Sequence, residues 1–393
     1  MSTSIFFFSI ITLSSIIQTS AASYNVLAFG AAPTGLVDST RAFASAWAAA
    51  CQSSTKSLIY VPKGRYLLSP IAFTGDNCNN NANEIVFRID GTLIAPIDYN
   101  VLGASASWIR FQRVNKVTIV GGALDAKGGS LWDCKADSNS GNCPKGATTL
   151  SFSDSSNVKI KSLMSLNSQM FHIVINRCEN VLMESVTVLA SSDSPNTDGI
   201  HVQLSTNVTI LNSSIKTGDD CISIGPGTKN LWIETMACGP GHGISIGSLA
   251  KDGEEEGVQN VTVKGVVFTG STNGLRIKSW ARPSTGFVKT VRFINIIMRN
   301  VRNPIIIDQH YCPNNVNCPN QESGISINDV LYQRVRGTSA TPVAIWFDCS
   351  SKNPCSEIIL DDINLSYSNK TPKSYCVNVS GRTNGEIRPS DCL

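Results

Sequence analysis

Three carboxylates, one imidazole and two fixed cations fall between residues 194 and 278 at near-regular intervals. They occur in Ser-Pro-Asn-Thr-Asp-Gly-Ile (194 to 200), Thr-Gly-Asp-Asp-Cys (217 to 221), Cys-Gly-Pro-Gly-His-Gly (238 to 243) and Arg-Ile-Lys (276 to 278). Asp198 and Asp219 are 21 residues apart, and Asp220 and His242 are 22 apart. A backbone unit of that period stacks residues one unit apart on one face, so Asp198, Asp219, Asp220 and His242 are expected along one cleft. The interval from His242 to Arg276 is 34, and the acidic insertion Lys251 to Gly257 accounts for the excess. Arg276 and Lys278 then belong to the next unit.

Carboxylates held close together raise one another's pKa, which keeps one protonated while its neighbours stay basic. Glycosidic hydrolysis needs that division: one acid protonates the departing oxygen, and one or two carboxylates activate water or attack the sugar. Arg276 and Lys278 alternate across Ile277 on a strand, point the same way and suit a substrate carboxylate. The expected substrate is an acidic sugar polymer. Singly, Asn-Thr-Asp-Gly and Gly-Asp-Asp are also good turn sequences. A turn does not, however, require His242, Arg276 and Lys278 as well.

The elements that would position this set show in a repeat. Asn-Val-Lys-Ile starts at Asn157, Asn-Val-Leu-Met at Asn180, Asn-Val-Thr-Ile at Asn207, Asn-Leu-Trp-Ile at Asn230 and Asn-Val-Thr-Val at Asn260, after an earlier Asn-Lys-Val-Thr-Ile at Asn115. The intervals from Asn157 are 23, 27, 23 and 30 residues. Short β-branched runs broken by Asn, Gly or Ser at such a period indicate a β solenoid, and the leucine pattern of leucine-rich repeats is absent. The expected fold is all-β: a right-handed parallel β-helix in one domain, its coils about 4.8 Å apart. Asn at a recurring corner tolerates left-handed backbone and can ladder with the Asn above it. Thr40 to Cys51, with Phe43 and Trp47 four apart, reads as a helical cap over the N-terminal end, and the cysteine-dense tail Cys349 to Cys392 as the closure of the other.

The first 22 residues carry no charge, include the apolar run Ile5 to Ile17 and end in Ser20, Ala21 and Ala22, as a signal peptide does. Residues 23–393 would form the mature domain. The 13 cysteines all lie there, and sequons occur at Asn207, Asn212, Asn260, Asn364, Asn369 and Asn378, both fitting an oxidising, secreted setting. Proximity suggests the bridges 134 to 143, 221 to 238, 312 to 318, 349 to 355, 376 to 392 and 51 to 78. Cys178 is left over and reads as a buried apolar filler. A net charge of +3 without a basic block does not suggest nucleic-acid binding, and no segment after the first 22 is apolar enough to span a membrane.

Together, the four signatures resemble those of the polygalacturonases, and most of all the plant members, over nearly the whole mature chain. The resemblance implies Asp219 as general acid, Asp198 and Asp220 as the pair that activates water, and inversion at the anomeric carbon. It implies that His242 supports the acid, that Arg276 and Lys278 bind a galacturonate carboxylate, and that Tyr311, in Ile-Asp-Gln-His-Tyr, touches substrate. Gly218, Gly241 and Gly243 would keep the cleft floor bare. No cofactor or metal is implied; the expected partner is homogalacturonan in the cell wall, and the expected state a monomer. Stacked carboxylates would be closer than the roughly 6.5–9.5 Å usual for inversion; the resemblance is weighted above that rule.

The competing functions are a calcium-dependent pectate lyase, a hydrolase of a related pectic polymer, and a non-catalytic pectin-binding β-helix. A separate carboxylate cluster for calcium is not evident, and all three catalytic carboxylates are present. Of the remaining polar residues, His172 and His201 read as packed or hydrogen-bonded core histidines, Glu254 to Glu256 as a solvated loop tip, and Asp361 with Asp362 as a turn. Trp280 reads equally as a sugar platform or a shielded side chain.

Overall fold

Each coil of the chain turns at a left-handed residue, and the repeated asparagines occupy that corner. In the computed structural model, which describes residues 21–393 except 77, 79–82, 138–141 and 391, Asn157, Asn180, Asn207, Asn230 and Asn260 have φ between 54° and 57°. An Asn amide accepts this backbone more readily than most side chains. The amides also bond to one another: Asn207 Nδ2 donates to Asn180 Oδ1 at 3.1 Å, Asn230 to Asn207 at 3.0 Å and Asn260 to Asn230 at 2.8 Å. A second left-handed residue follows five positions later, at Ser162, Ser185, Asn212, Thr235 and Gly265. The repeat runs further than its asparagines, because Thr290, Asp329 and Glu357 take the same corner with φ of 57°, 54° and 55°. Thr290 Oγ1 donating to Asp329 Oδ2 at 3.0 Å replaces the amide pair there.

Between corners, strands pair in parallel with the coil before and the coil after. An 11-stranded sheet runs in chain order from Ile71–Thr74 to Lys373–Val377, and a 19-stranded sheet curls round the rest. Ile173, Ile200, Ile222, Ile244, Leu275, Ile305 and Ile345 stack in register along the first sheet, each essentially buried. Val181, Val208, Leu231, Val261, Val291, Val330 and Ile358 do the same on the second. Each such aliphatic side chain contributes about 1.5–3 kcal/mol by burial. The expected all-β parallel helix is therefore present.

The helix Thr40–Cys51 caps the N-terminal end with Phe43 and Trp47 turned inward. Trp47 stacks on Phe87 at 5.9 Å and meets Phe73 at 5.3 Å. At the other end the cysteine-dense tail closes the solenoid as its last coil, since Lys373–Val377 and Val379–Arg388 pair onto the strands before them. Two short helices, Tyr99–Gly103 and Gly129–Ala136, also interrupt the strands. All six expected bridges form, and Cys178 is free and buried. The expected signal segment lies outside the described residues apart from Ala21 and Ala22. Among the described residues, no helix is long and apolar enough to cross a membrane.

Candidate active site

The carboxylates stand in the turns that lead into successive strands of the 11-stranded sheet. Asp198 precedes Ile200–Gln203, Asp219 and Asp220 precede Ile222–Ile224, and His242 precedes Ile244–Leu249. Backbone bonds between coils fix these turns, with Gly199 N–H donating to Asp220 O at 2.9 Å and His242 N–H to Asp219 O at 2.8 Å. Gly218 and Gly241 serve this close approach rather than a bare floor. A Cβ on Gly218 would lie 2.1 Å from Ser194 O, and one on Gly241, at φ +134°, 2.5 Å from Asp219 O.

Asp220 is the electrostatic centre. Its Oδ1 accepts from Arg276 Nη2 at 2.7 Å and Ser245 Oγ at 2.7 Å, and its Oδ2 accepts from Lys278 Nζ at 3.0 Å. Burial alone would raise its pKa, but Lys278 and Arg276 outweigh burial and bring it down to about 2. Asp220 is thus ionised in mildly acidic solution. Asp198 moves the opposite way: its burial, then the charges of Asp220 and Asp219, push it well above the usual carboxylate range. The two neighbouring carboxyls are thus shifted in opposite directions, so one can carry a proton while the other stays charged.

Asp219 is more open than either, with 18% of its side chain exposed against 2% for Asp220. Its Oδ1 faces His242 Nδ1 at 3.0 Å and accepts the Asp220 N–H at 2.8 Å, which fixes the carboxyl plane. Asn196 Nδ2 reaches its Oδ2 at 3.5 Å. Asp219, Asp220 and His242 offer atoms within 4.8 Å of one another, a spacing that could hold a metal ion. Both oxygens of Asp220 already accept from cations, Oδ1 from Arg276 and Oδ2 from Lys278.

Lys278 Nζ lies 5.2 Å from the Tyr311 ring centroid, placing that tyrosine at the edge of the cationic pair. Trp280 is half-buried and meets Tyr311 edge-on at 5.3 Å, so it buttresses that ring. The structure therefore brings Asp198, Asp219, Asp220, His242, Arg276, Lys278 and Tyr311 into one cleft.

Ser223 and Ser245 were not singled out by residue type. Ser245 bonds both Asp220 and Arg276 (Nε donating at 2.8 Å), and Ser223 bonds Asp198 and His201. The signal was present as Ile-Ser-Ile-Gly at 222 to 225 and again at 244 to 247. His201 is packed and hydrogen-bonded, 2.7 Å from Ser223 Oγ, 3.2 Å from Gln203 Oε1 and stacked on Phe171, but it does so on the outward column with Ser223 and Ser245 rather than inside the coil. His172 is wholly buried, bonded to Ser165 Oγ at 2.8 Å and held down to about 3 by burial. Glu255 is not simply solvated but accepts the Ala250, Lys251 and Asp252 N–H groups, closing its loop. Asp362 is a left-handed corner at φ 53°, consistent with the turn reading.

Comparison with known proteins adds to this geometry. Residues 51–385 match the glycosyl hydrolases family 28. A polygalacturonase of Prunus persica is 60% identical over 371 residues, covering 94% of this chain and 93% of the relative. An exopolygalacturonase of Platanus acerifolia is 40% identical, covering 95% and 98%. Among solved structures, the endo-xylogalacturonan hydrolase of Aspergillus tubingensis superposes with a TM-score of 0.77 at 21% identity, covering 94% of this chain and 100% of that one, a likeness of fold.

Proposed function

The chain belongs to the glycosyl hydrolases of family 28, and from that membership we propose that it hydrolyses the α-1,4-galacturonosyl bonds of homogalacturonan with inversion at the anomeric carbon. The observation that carries the reading is the double cation on Asp220. Arg276, whose guanidinium keeps donors beyond those given to Asp220 and Ser245, and the Lys278 ammonium stand beside the acids, the chemistry that a galacturonate carboxylate requires.

Asp219 donates the proton to the departing oxygen, because it is the most open of the three carboxyls and His242 fixes its orientation. Asp220 and Asp198 hold and deprotonate the attacking water. The pKa directions favour Asp198 as the proton carrier in the empty cleft, whereas reach favours Asp219 as the donor. Coupled carboxyls share protons as a group, so we assign the acid by reach and the base by the charge fixed on Asp220. Tyr311 borders the sugar held by Lys278. Residues 23–393 act as one catalytic domain, secreted after loss of the signal segment and monomeric at the cell wall.

The test is incubation of the secreted protein with de-esterified polygalacturonate at mildly acidic pH, with and without a calcium chelator. New reducing ends without unsaturated-product absorbance support hydrolysis, and a fast fall in viscosity marks internal cleavage. Absorbance that the chelator abolishes would mean a lyase, and no product from folded protein a binding role.

A further inference from the structure

Beyond the cationic pair, the two outward columns of the cleft sheet change character. One runs in register through Arg276, Ile306, Trp346 and Tyr375, the other through Lys278, Asp308, Asp348 and Val377. The alternating neighbours Ile305, Ile307, Ile345 and Phe347 are fully buried, which turns both columns outward. Trp346 and Tyr375 stack with centroids 4.3 Å apart and 30° between planes, and Tyr375 is 41% exposed. With neighbouring rungs about 4.8 Å apart, Trp346 stands two rungs, or about 10 Å, past Arg276. A polymer held at Arg276 and continuing toward the C-terminal end passes over this pair.

The charge beside the aromatic pair is negative. Asp308 accepts the His310 N–H at 2.9 Å, and His310 Nδ1 lies 3.2 Å from Asp348 Oδ2 and its Nε2 4.0 Å from Glu322 Oε2. One imidazole cannot neutralise three carboxylates. Burial, with Asp348 adding to it, raises Asp308, but the Ser350 hydroxyl and Ser351 amide hold Glu322 below its usual range, so negative charge persists in mildly acidic solution. Chain carboxylates are therefore attracted at Lys278 and repelled over the next two rungs, by Asp308 and then Asp348.

Resting on the proposed function, we propose that this C-terminal arm of the cleft takes uncharged, methyl-esterified galacturonate residues in preference to charged ones. Their ring faces lie on Trp346 and Tyr375, while Asp308 and Asp348 turn away free carboxylates. Asp308 and Asp348 are specificity-determining residues, and the cleft reads esterification by position: a free acid at the cleavage point, an ester beyond it.

The experiment measures kcat/KM of the full chain on de-esterified and on partially methyl-esterified homogalacturonan. It compares the unaltered chain with Asp308→Asn/Asp348→Asn and with Trp346→Ala. The double amide variant is expected to gain on the de-esterified polymer and to lower the esterified-to-de-esterified ratio by about tenfold, the effect of removing a nearby like charge. Asp348→Asn alone should move the ratio the same way by less, which keeps the test open if the double variant folds poorly. Trp346→Ala should raise KM more on the esterified polymer than on the de-esterified one, and an equal change on both would count against the aromatic seat. A ratio unchanged in the folded amide variants overturns this inference alone. Cleavage of neither polymer by the unaltered chain overturns the proposed function and this inference with it.

Discussion

The asparagine ladder and the proposed catalytic column are made by the same coil repeat, yet they use stacking in opposite ways. In the ladder each rung presents the same amide, and Asn207, Asn230 and Asn260 each donate to the rung below. Every group there is a partner for its own copy, so the row is self-satisfying and uniform. In the cleft the rungs differ: Ser223, Ser245 and Arg276 follow one another in register, with Asp198, Asp219, Asp220 and His242 in the turns beside them. Stacked copies of one carboxylate would repel, and only the unlike neighbours Arg276 and Lys278 make a buried Asp220 tenable. In a solenoid, repetition marks structure and departure from repetition marks chemistry.

The sharpest way to break that contrast is to alter one member of the column without touching its shape. Asp219→Asn should lower kcat by about 10²–10⁴-fold, the range of a lost general acid, with an unchanged melting temperature. Full activity would remove Asp219 from the mechanism. Lys278→Ala leaves Asp220 with a single cation and should cost about 3 kcal/mol in denaturant unfolding as well as activity.

The pH dependence separates the two buried carboxylates. Asp220 has a lowered folded pKa, so its stabilisation is present above the unfolded value of 3.8 and is lost as pH falls toward about 2. Asp198 has a raised folded pKa, so its contribution is present below the unfolded value and is lost as pH rises through the folded one. Asp198→Asn should therefore raise the melting temperature at neutral pH while activity falls at least about tenfold. A lower melting temperature there would contradict the burial argument. The ladder should give the smallest effect: Asn230→Ala should cost about 1–2 kcal/mol with kcat unchanged, and Asn230→Gly should recover the backbone part of the loss.

What the sequence made legible follows the same division. Asn157 to Asn260 revealed the period because the corner selects one residue type, and the period then aligned Asp198, Asp219, Asp220 and His242. The coils turning at Thr290, Asp329 and Glu357 were hidden because the corner demands a positive φ, which these residues also adopt, and Thr290 and Asp329 supply a bond in place of the amide pair. Ser245 was hidden because a serine between two isoleucines resembles ordinary strand. Its role depends on Asp220 one coil before and Arg276 one coil after. The dense cysteines marked the tail as the closing end but not how it closes, which is by strands that extend the two sheets by one more coil.

The most direct test of the central claim is the anomeric configuration of the first product, read by proton NMR before mutarotation. A water held by Asp198 and Asp220 opposite Asp219 attacks with inversion, and the account predicts the β-anomer from the α-linked polymer. An initial α-anomer would mean retention through a covalent sugar, and would contradict the roles assigned to these three carboxylates.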